Sequence, residues 1–387
     1  MGTFLGAIAF SVLLLFAIFF HELGHYVTAR WAEIKITKFF VGFGPTLWSF
    51  RRGRTEIVEG EDGALTERPE TEYGVKAFPL GGFVKVVGMS PFEDVPPQDV
   101  PRAFPSVPAW KRAIVLAAGS ATHLVTAFLV LLLVFAGTGF PDYERPTLEV
   151  SEVITELEGR PAPAAEAGLV PGDTIVAIDG RRLSDWDALR ETIRVNPDRP
   201  LDLTLLGSDG RERRVTITPA VQDENGEQIG MIGVAPAPAT TRIGPVAAVG
   251  RSVTTIGSFF AALVDAGPQL FSPRNLGLVP GSEPSDERPV SVVGAGRIAA
   301  GLAARGQVVA FLLFFVQLNL VIALLNMLPL PPLDGGHLLV LAIEKVRGKP
   351  VNPRALLPVM AVVTSLLLIL AVSLLFQDIV SPVDPFQ

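Results

Sequence analysis

Four long apolar blocks interrupt an otherwise polar chain of 387 residues. The first covers residues 3–20 without a charge and continues as HELGHYVTARW to Trp31. The others cover about 113–135, 308–328 and 356–376. A helix crossing the hydrocarbon core needs roughly 20 mostly apolar residues, so each block predicts a transmembrane helix. A fifth run, 252–264, lies between Arg251 and Asp265 and spans only 13 residues. It is too short to cross and is expected as an amphipathic helix at the membrane surface. No basic residue precedes the first block and no small-residue cleavage site ends it, so it is expected to stay as a membrane helix and not to be removed as a signal peptide.

Between the blocks the pattern changes. Residues 34–50 and 73–89, with VGFGPTLW and FPLGGFVKVVGM, mix apolar residues with Gly and Pro and predict strands and tight turns. The acidic stretch EIVEGEDGALTERPETE between them is expected to be an exposed loop, and SPFEDVPPQDVP a proline-rich linker. In 142–235, turn glycines at Gly168 and Gly172 precede a strand through Ile175, Val176 and Ile178 and a helix from about Ser184. Two further strands flank Asp209-Gly210. This order resembles a single α+β PDZ domain.

Composition sharpens the class. The chain is 49% hydrophobic and 18% charged, where soluble domains carry about 25% charged residues. A single soluble globule, a fibre and a disordered chain are excluded. A net charge of -7 leaves no electrostatic footprint for nucleic acid, so no nucleic-acid partner is expected. With no cysteine there is no disulfide, thiolate metal site or thiol nucleophile. Arg30, Lys35 and Lys38 follow the first block, Lys111 and Arg112 precede the second, and Lys345, Arg347, Lys349 and Arg354 separate the third from the fourth. The positive-inside rule therefore expects both short loops in the cytoplasm, with both termini and the long middle segment outside.

All four histidines, His21, His25, His123 and His337, sit in or beside apolar blocks, where polar groups are costly and functional. His21 and His25 bracket Glu22 in an H-E-x-x-H pattern. At i and i+4 two imidazoles share a helix face and can reach one zinc ion, while Glu22 is placed to take a proton from water and pass it to a leaving amine. A catalytic zinc takes a third protein ligand. Glu33 lies eight residues beyond His25 and past the apolar segment, whereas Asp334, in LPLPPLDGGH, returns to the same side of the membrane if the chain crosses four times. Gly335 and Gly336 alone would read as a helix-ending turn with unusual backbone angles.

HELGH in the first apolar helix, paired with NMLPLPPLDGG in a later one, resembles the site-2 protease family of intramembrane zinc metalloproteases. The closer likeness is to the bacterial regulator of sigma-E protease group with one PDZ domain. The resemblance covers nearly the whole chain. It implies one zinc ion held by His21, His25 and Asp334, catalysis by Glu22, and a substrate-holding role for Asn326. It also implies location in the bacterial inner (plasma) membrane, with the active site toward the cytoplasm. The strand segments resemble the family's membrane-associated β-hairpin. The implied substrates are single-pass membrane proteins already cut once, chiefly anti-sigma factors, and remnant signal peptides. Where the family often carries Ala-Gly-Pro-x-x-Asn in its second helix, this chain has Ala118, Gly119, Ser120, Ala121, Thr122 and His123. His123 and His337 are given no role, and Gln317 and Asn319 are read as helix-to-helix hydrogen bonders.

The expected fold is thus a polytopic α-helical membrane protein of four transmembrane helices with a membrane-associated β-hairpin region and an extracytoplasmic α+β PDZ domain. Its segments are 1–33 with HELGH, 34–112 as β region and linker, 113–137 as second helix and 142–235 as PDZ. After these come 236–305 as amphipathic linker, 306–337 as third helix with the LDG motif, and 355–377 as fourth helix. The alternative from another class is a PDZ-bearing membrane adaptor, against which an intact Glu22 argues. A metal transporter would repeat polar residues along several helices, and only one cluster is present.

Overall fold

The computed structural model describes residues 2–59, 65–90, 93–157, 159–224, 227–270, 272–276 and 288–383. The chain forms two compact units, Met1–Gly137 with Gly244–Gln387, and Thr138–Ile243.

In the first unit, α1 (Gly2–Trp31) contains no proline and ends where Glu33 takes a left-handed φ of 65°. Ile34 N–H then returns to Ala29 C=O at 2.9 Å, closing the helix terminus. The antiparallel strands β1 (Ile36–Glu59) and β2 (Leu65–Val86) both fold back on themselves. Phe39 pairs with Val84 on one side and Tyr73 on the other, and Tyr73 also pairs with Phe50. The result is a four-segment sheet in the order 46–59, 65–78, 36–43, 82–86, with 82–86 at the edge. Gly42, Gly44 and Gly81, at φ 93°, 84° and 137°, allow the reversals.

The acidic stretch expected to be a loop is mostly strand: Glu56 pairs with Arg68 and Glu59 with Leu65, and only 60–64 lie outside the described residues. Alternating polar residues hid a strand pair, and one of them, Glu70, is buried. It bridges Arg30 at 3.0 Å and Arg102 at 2.8 Å, tying β2 to the end of α1 and to the 90–106 connection. Phe43, Leu47, Trp48, Phe50, Val75 and Phe78 leave an exposed apolar face on the sheet, the kind of surface that marks a membrane or partner contact.

Two 3-10 turns lead into α2 (Ala109–Leu132), which a π turn extends to Thr138. Ala29, Ile34, Ile36, Val86, Val115 and Leu116 form the core shared by α1, the sheet and α2.

The second unit contains β3 (Phe140–Val153), β4 (Glu156–Leu157), β5 (Arg160–Pro161), α3 (Pro163–Glu166), β6 (Thr174–Ile178), β7 (Arg181–Arg182), α4 (Trp186–Arg194), β8 (Leu201–Leu206), β9 (Glu212–Ile217), β10 (Ala220–Glu224), β11 (Glu227–Met231) and β12 (Val234–Thr241). The main sheet runs β12-β3-β6-β8-β9, with β7 on β6. Leu201, Leu203 and Leu205 alternate inward along β8 and join Leu189 and Ile193 of α4 in one core. Asp185 caps α4 by accepting Ala188 N–H at 2.8 Å.

The chain then returns through α5 (Pro245–Leu270), α6 (Val292–Ala304), α7 (Val308–Met327), α8 (Asp334–Arg347) and α9 (Pro353–Val380). The expected 13-residue surface helix is in fact the middle of α5, which has 26 residues. Arg251 and Asp265 do not end it, because a helix stops at caps and breakers and a single charge is neither. By length and composition five helices could cross a membrane: α1, α2 with its extension, α5, α7 and α9.

α1 and α7 run in the same direction. Phe10 of α1 packs with Phe311 and Phe314 at the start of α7 and with Ala295 and Ala299 of α6, while His25 and Asp334 meet at the other end. At the Phe10 end, Asp378 in the last turn of α9 meets Arg288 at 2.8 Å and accepts Ser291 N–H at 2.6 Å, just before α6. α9 therefore runs opposite to α1.

Candidate metal centre

His21 and His25 project from one face of α1, as the i, i+4 spacing requires. Their Nε2 atoms are 3.3 Å apart, and Asp334 Oδ2 lies 3.6 Å from the first and 3.3 Å from the second. Among the described residues this trio is the one His/Asp/Glu cluster with metal-ligand spacing. Tetrahedral bonds of about 2.0–2.1 Å to a zinc ion place ligand atoms about 3.3–3.4 Å apart, close to all three sides of the triangle.

The protonation pattern fits a cation. His25 Nδ1 contacts the Val115 carbonyl of α2 at 2.8 Å, so it carries the proton and donates it. In the neutral ring its Nε2 is then a lone pair facing the cluster, the arrangement that orients metal-binding histidines. With Nε2 unprotonated on His25, the contact to Asp334 is no hydrogen bond, and Asp334 Oδ2 is buried with no hydrogen-bond partner. A buried carboxylate oxygen against an imidazole lone pair is repulsive unless a positive ion sits between them. The donor set and its orphaned oxygen fit zinc.

Glycines make the approach possible. A Cβ on Gly119 would overlap the His25 and His21 rings, and one on Gly24 would lie 2.7 Å from the Ala118 carbonyl oxygen. On the other side, Gly335 and Gly336 begin α8 and do not end a helix. Neither has a positive φ. A Cβ on either would overlap backbone of residues 327–331, at the end of α7 and in the turn after it. They are required by space, since the chain doubles back there to swing Asp334 onto the α1 histidines.

Glu22 faces the sheet edge. A Cβ on Gly82 would lie 2.9 Å from its Cγ. Asn326, in the last turn of α7, is half-buried and makes no hydrogen bond among the described residues. Glu33 is exposed at the end of α1, away from the cluster. His337 stands outside the ligand triangle, and burial holds its pKa below the usual histidine range against the opposing pull of Asp334.

His123, left without a role by the sequence, is buried and packs 5.1 Å from His21, ring to ring. Its Nδ1 is 2.9 Å from Asn319 Oδ1, and Asn319 Nδ2 donates to Phe315 C=O at 2.9 Å. That pair links α2 to α7, whereas Gln317 is exposed and makes no such bond among the described residues. The Val115 carbonyl had no sequence signal, because a backbone acceptor can come from any residue type.

The model of peptidase family M50 matches residues 9–58 and 63–370. The chain is 33% identical to zinc metalloprotease Rip1 of Mycobacterium tuberculosis strain H37Rv, over 99% of both chains. It is 31% identical to zinc metalloprotease Rip1 of Mycolicibacterium smegmatis, again over 99% of both. With HELGH and LDGG meeting in one cluster inside that match, the chain belongs to peptidase family M50, the site-2 proteases, and is a zinc metallopeptidase.

Proposed function

We propose that this peptidase cuts peptide bonds within the membrane segment of single-pass proteins, using His21, His25 and Asp334 as zinc ligands and Glu22 as general base and then general acid. The observation that carries the reading is the triangle of two imidazole nitrogens and an orphaned carboxylate oxygen, with sides of 3.3–3.6 Å. Zinc held there supplies a Lewis acid that polarises a carbonyl and eases deprotonation of water. Glu22 takes the proton of the attacking water and delivers it to the amine nitrogen as the C–N bond breaks. The close approach of Gly82 to its Cγ sets Glu22 against the 82–86 edge segment.

A helical substrate shields its own amides, so it must unwind to be cut. The edge segment 82–86 lies beside Glu22 and pairs on only one side, with 36–41. An unwound substrate added as a further strand would be presented extended to the site. Asn326 is assigned to holding that strand. Four crossings, by α1, α2, α7 and α9, suit the parallel course of α1 and α7 and the return of α9 to the Phe10 end. In this reading α5 lies along the surface, since α6, at 13 residues, is too short to bring a fifth crossing back. The basic residues of the short loops support a metal end facing the cytoplasm and both termini outside, in a bacterial inner membrane.

Unit 138–243 is assigned as a PDZ domain, supported by its sheet, its capped helix and its glycine turns at Gly168, Gly172 and Gly210. We assign it to screening out substrates with bulky outer domains. Substrates are then proteins trimmed by a first protease, with anti-sigma factors foremost and remnant signal peptides next. Glu22→Gln tests the reading against a PDZ adaptor: zinc stays bound and cleavage of a co-expressed, pre-trimmed single-pass substrate disappears. Unchanged processing overturns it.

A further inference from the structure

At the metal end of the membrane unit, a cavity of about 930 Å³ opens between the start of α2, the length of α8 and the start of α9. A neighbouring space of about 520 Å³ shares Met89, His337 and Met360 with it and reaches the 84–86 edge strand. The walls are of two kinds. Phe104, Leu116, Leu341, Leu356 and Met360 form an apolar floor, while Arg112, Lys345 and Lys349 supply three cations. The one carboxylate among its described lining residues, Glu344, is already engaged by Arg112 at 3.6 Å and by Val351 N–H at 3.0 Å. Arg112 keeps a buried Nε–H without an acceptor. Lys345 and Lys349 are exposed and make no ion pair among the described residues.

We propose that this cavity is a binding site for an anionic phospholipid, its phosphate held by Arg112, Lys345 and Lys349 and the first part of its acyl chains lying on the apolar floor. The inference rests on the reading above that this end of the helices faces the cytoplasm, where a bilayer presents anionic headgroups. Basic pockets between membrane helices on that side suit such lipids. Charge selects the occupant. With Glu344 offsetting Arg112, the cavity keeps the net positive charge of Lys345 and Lys349; a zwitterionic headgroup would bring an ammonium to it, whereas a phosphodiester with a neutral or anionic headgroup brings only complementary charge. A free phosphate would leave the apolar floor bare. A peptide flank of a transmembrane substrate is disfavoured, because cytoplasmic flanks are enriched in Lys and Arg. The site has a route to the chemistry: α8 carries Lys345 near its end and Asp334 at its start.

The test uses the full chain in phosphatidylcholine nanodiscs, with phosphatidylglycerol added in steps and bound lipid read by native mass spectrometry. Wild type is expected to retain phosphatidylglycerol over phosphatidylcholine. Lys345→Gln combined with Lys349→Gln removes two cations and is expected to weaken that retention roughly 30-fold. Leu356→Trp, which fills the floor and keeps the charges, is expected to weaken it as well. Inorganic phosphate at millimolar concentration is expected to displace little lipid. Equal retention of both lipids, equal retention by the double variant, or full displacement by phosphate overturns the proposal, as does displacement by an acidic peptide in preference to lipid. None of these readings involves proteolysis, so their failure leaves the protease assignment standing, and unchanged cleavage in the Glu22 test, which overturns that assignment, leaves this one standing.

Discussion

The two ends of the membrane unit each bury a carboxylate oxygen of an aspartate, and they treat it oppositely. At the Phe10 end, Asp378 is met by the Arg288 guanidinium and by Ser291 N–H, while Arg297 donates to its backbone carbonyl at 2.6 Å. At the metal end, Asp334 Oδ2 has no donor and confronts the imidazole nitrogens of His21 and His25. The first carboxylate is neutralised by the chain itself and holds α6 to α9. The second is left for something the chain does not supply. Burial alone therefore does not mark a functional carboxylate, and the sign of its neighbours does.

The sharpest way to break the contrast is to exchange the demands on the two residues. Asp334→Asn should abolish peptide cleavage, a fall of at least 100-fold, while the protein still elutes as a folded species in detergent. Chelation of the wild type should cause the same loss, reversed by added zinc. Asp378→Asn should do the reverse. It leaves Arg288 buried without its counter-charge, and removing one partner of such a pair costs about 3–5 kcal/mol. Its denaturation midpoint should drop while its zinc content stays at the wild-type level.

Gly119→Ala sharpens the metal end alone. A methyl group there overlaps both rings, so zinc affinity should fall by about 10–100-fold, the range seen when ligand orientation is disturbed. Direct titration of the apo protein measures this. Ser291→Ala is the mildest change. It removes the cap on Val293 and Gly294 N–H, at 3.2 and 3.3 Å, and should cost about 1 kcal/mol with no effect on cleavage.

This contrast also shows what a sequence can reveal. His21, Glu22 and His25 were legible because a helix converts an i, i+4 spacing into one face. Asp334 was legible only through the parity of the crossings, since 308 residues lie between it and His25. The strand pair at 56–59 and 65–72 was not, because its residues are polar and a buried Glu70 is satisfied only by arginines from two other segments. The full length of α5 was hidden because its two charges interrupt the hydropathy without interrupting the helix. Gly335 and Gly336 stood out in the sequence, yet their purpose was spatial, and space depends on a neighbour the sequence does not identify. His123 and Asn319 needed the packed α2 and α7 to find each other.

The central claim is that His21, His25 and Asp334 together bind one zinc ion. Zinc per chain, measured by elemental analysis of the purified wild type and of His21→Ala, His25→Ala and Asp334→Asn, tests it most directly. The account predicts about one zinc in the wild type and less than about a tenth in each variant. Full zinc occupancy in a folded Asp334→Asn protein would contradict it.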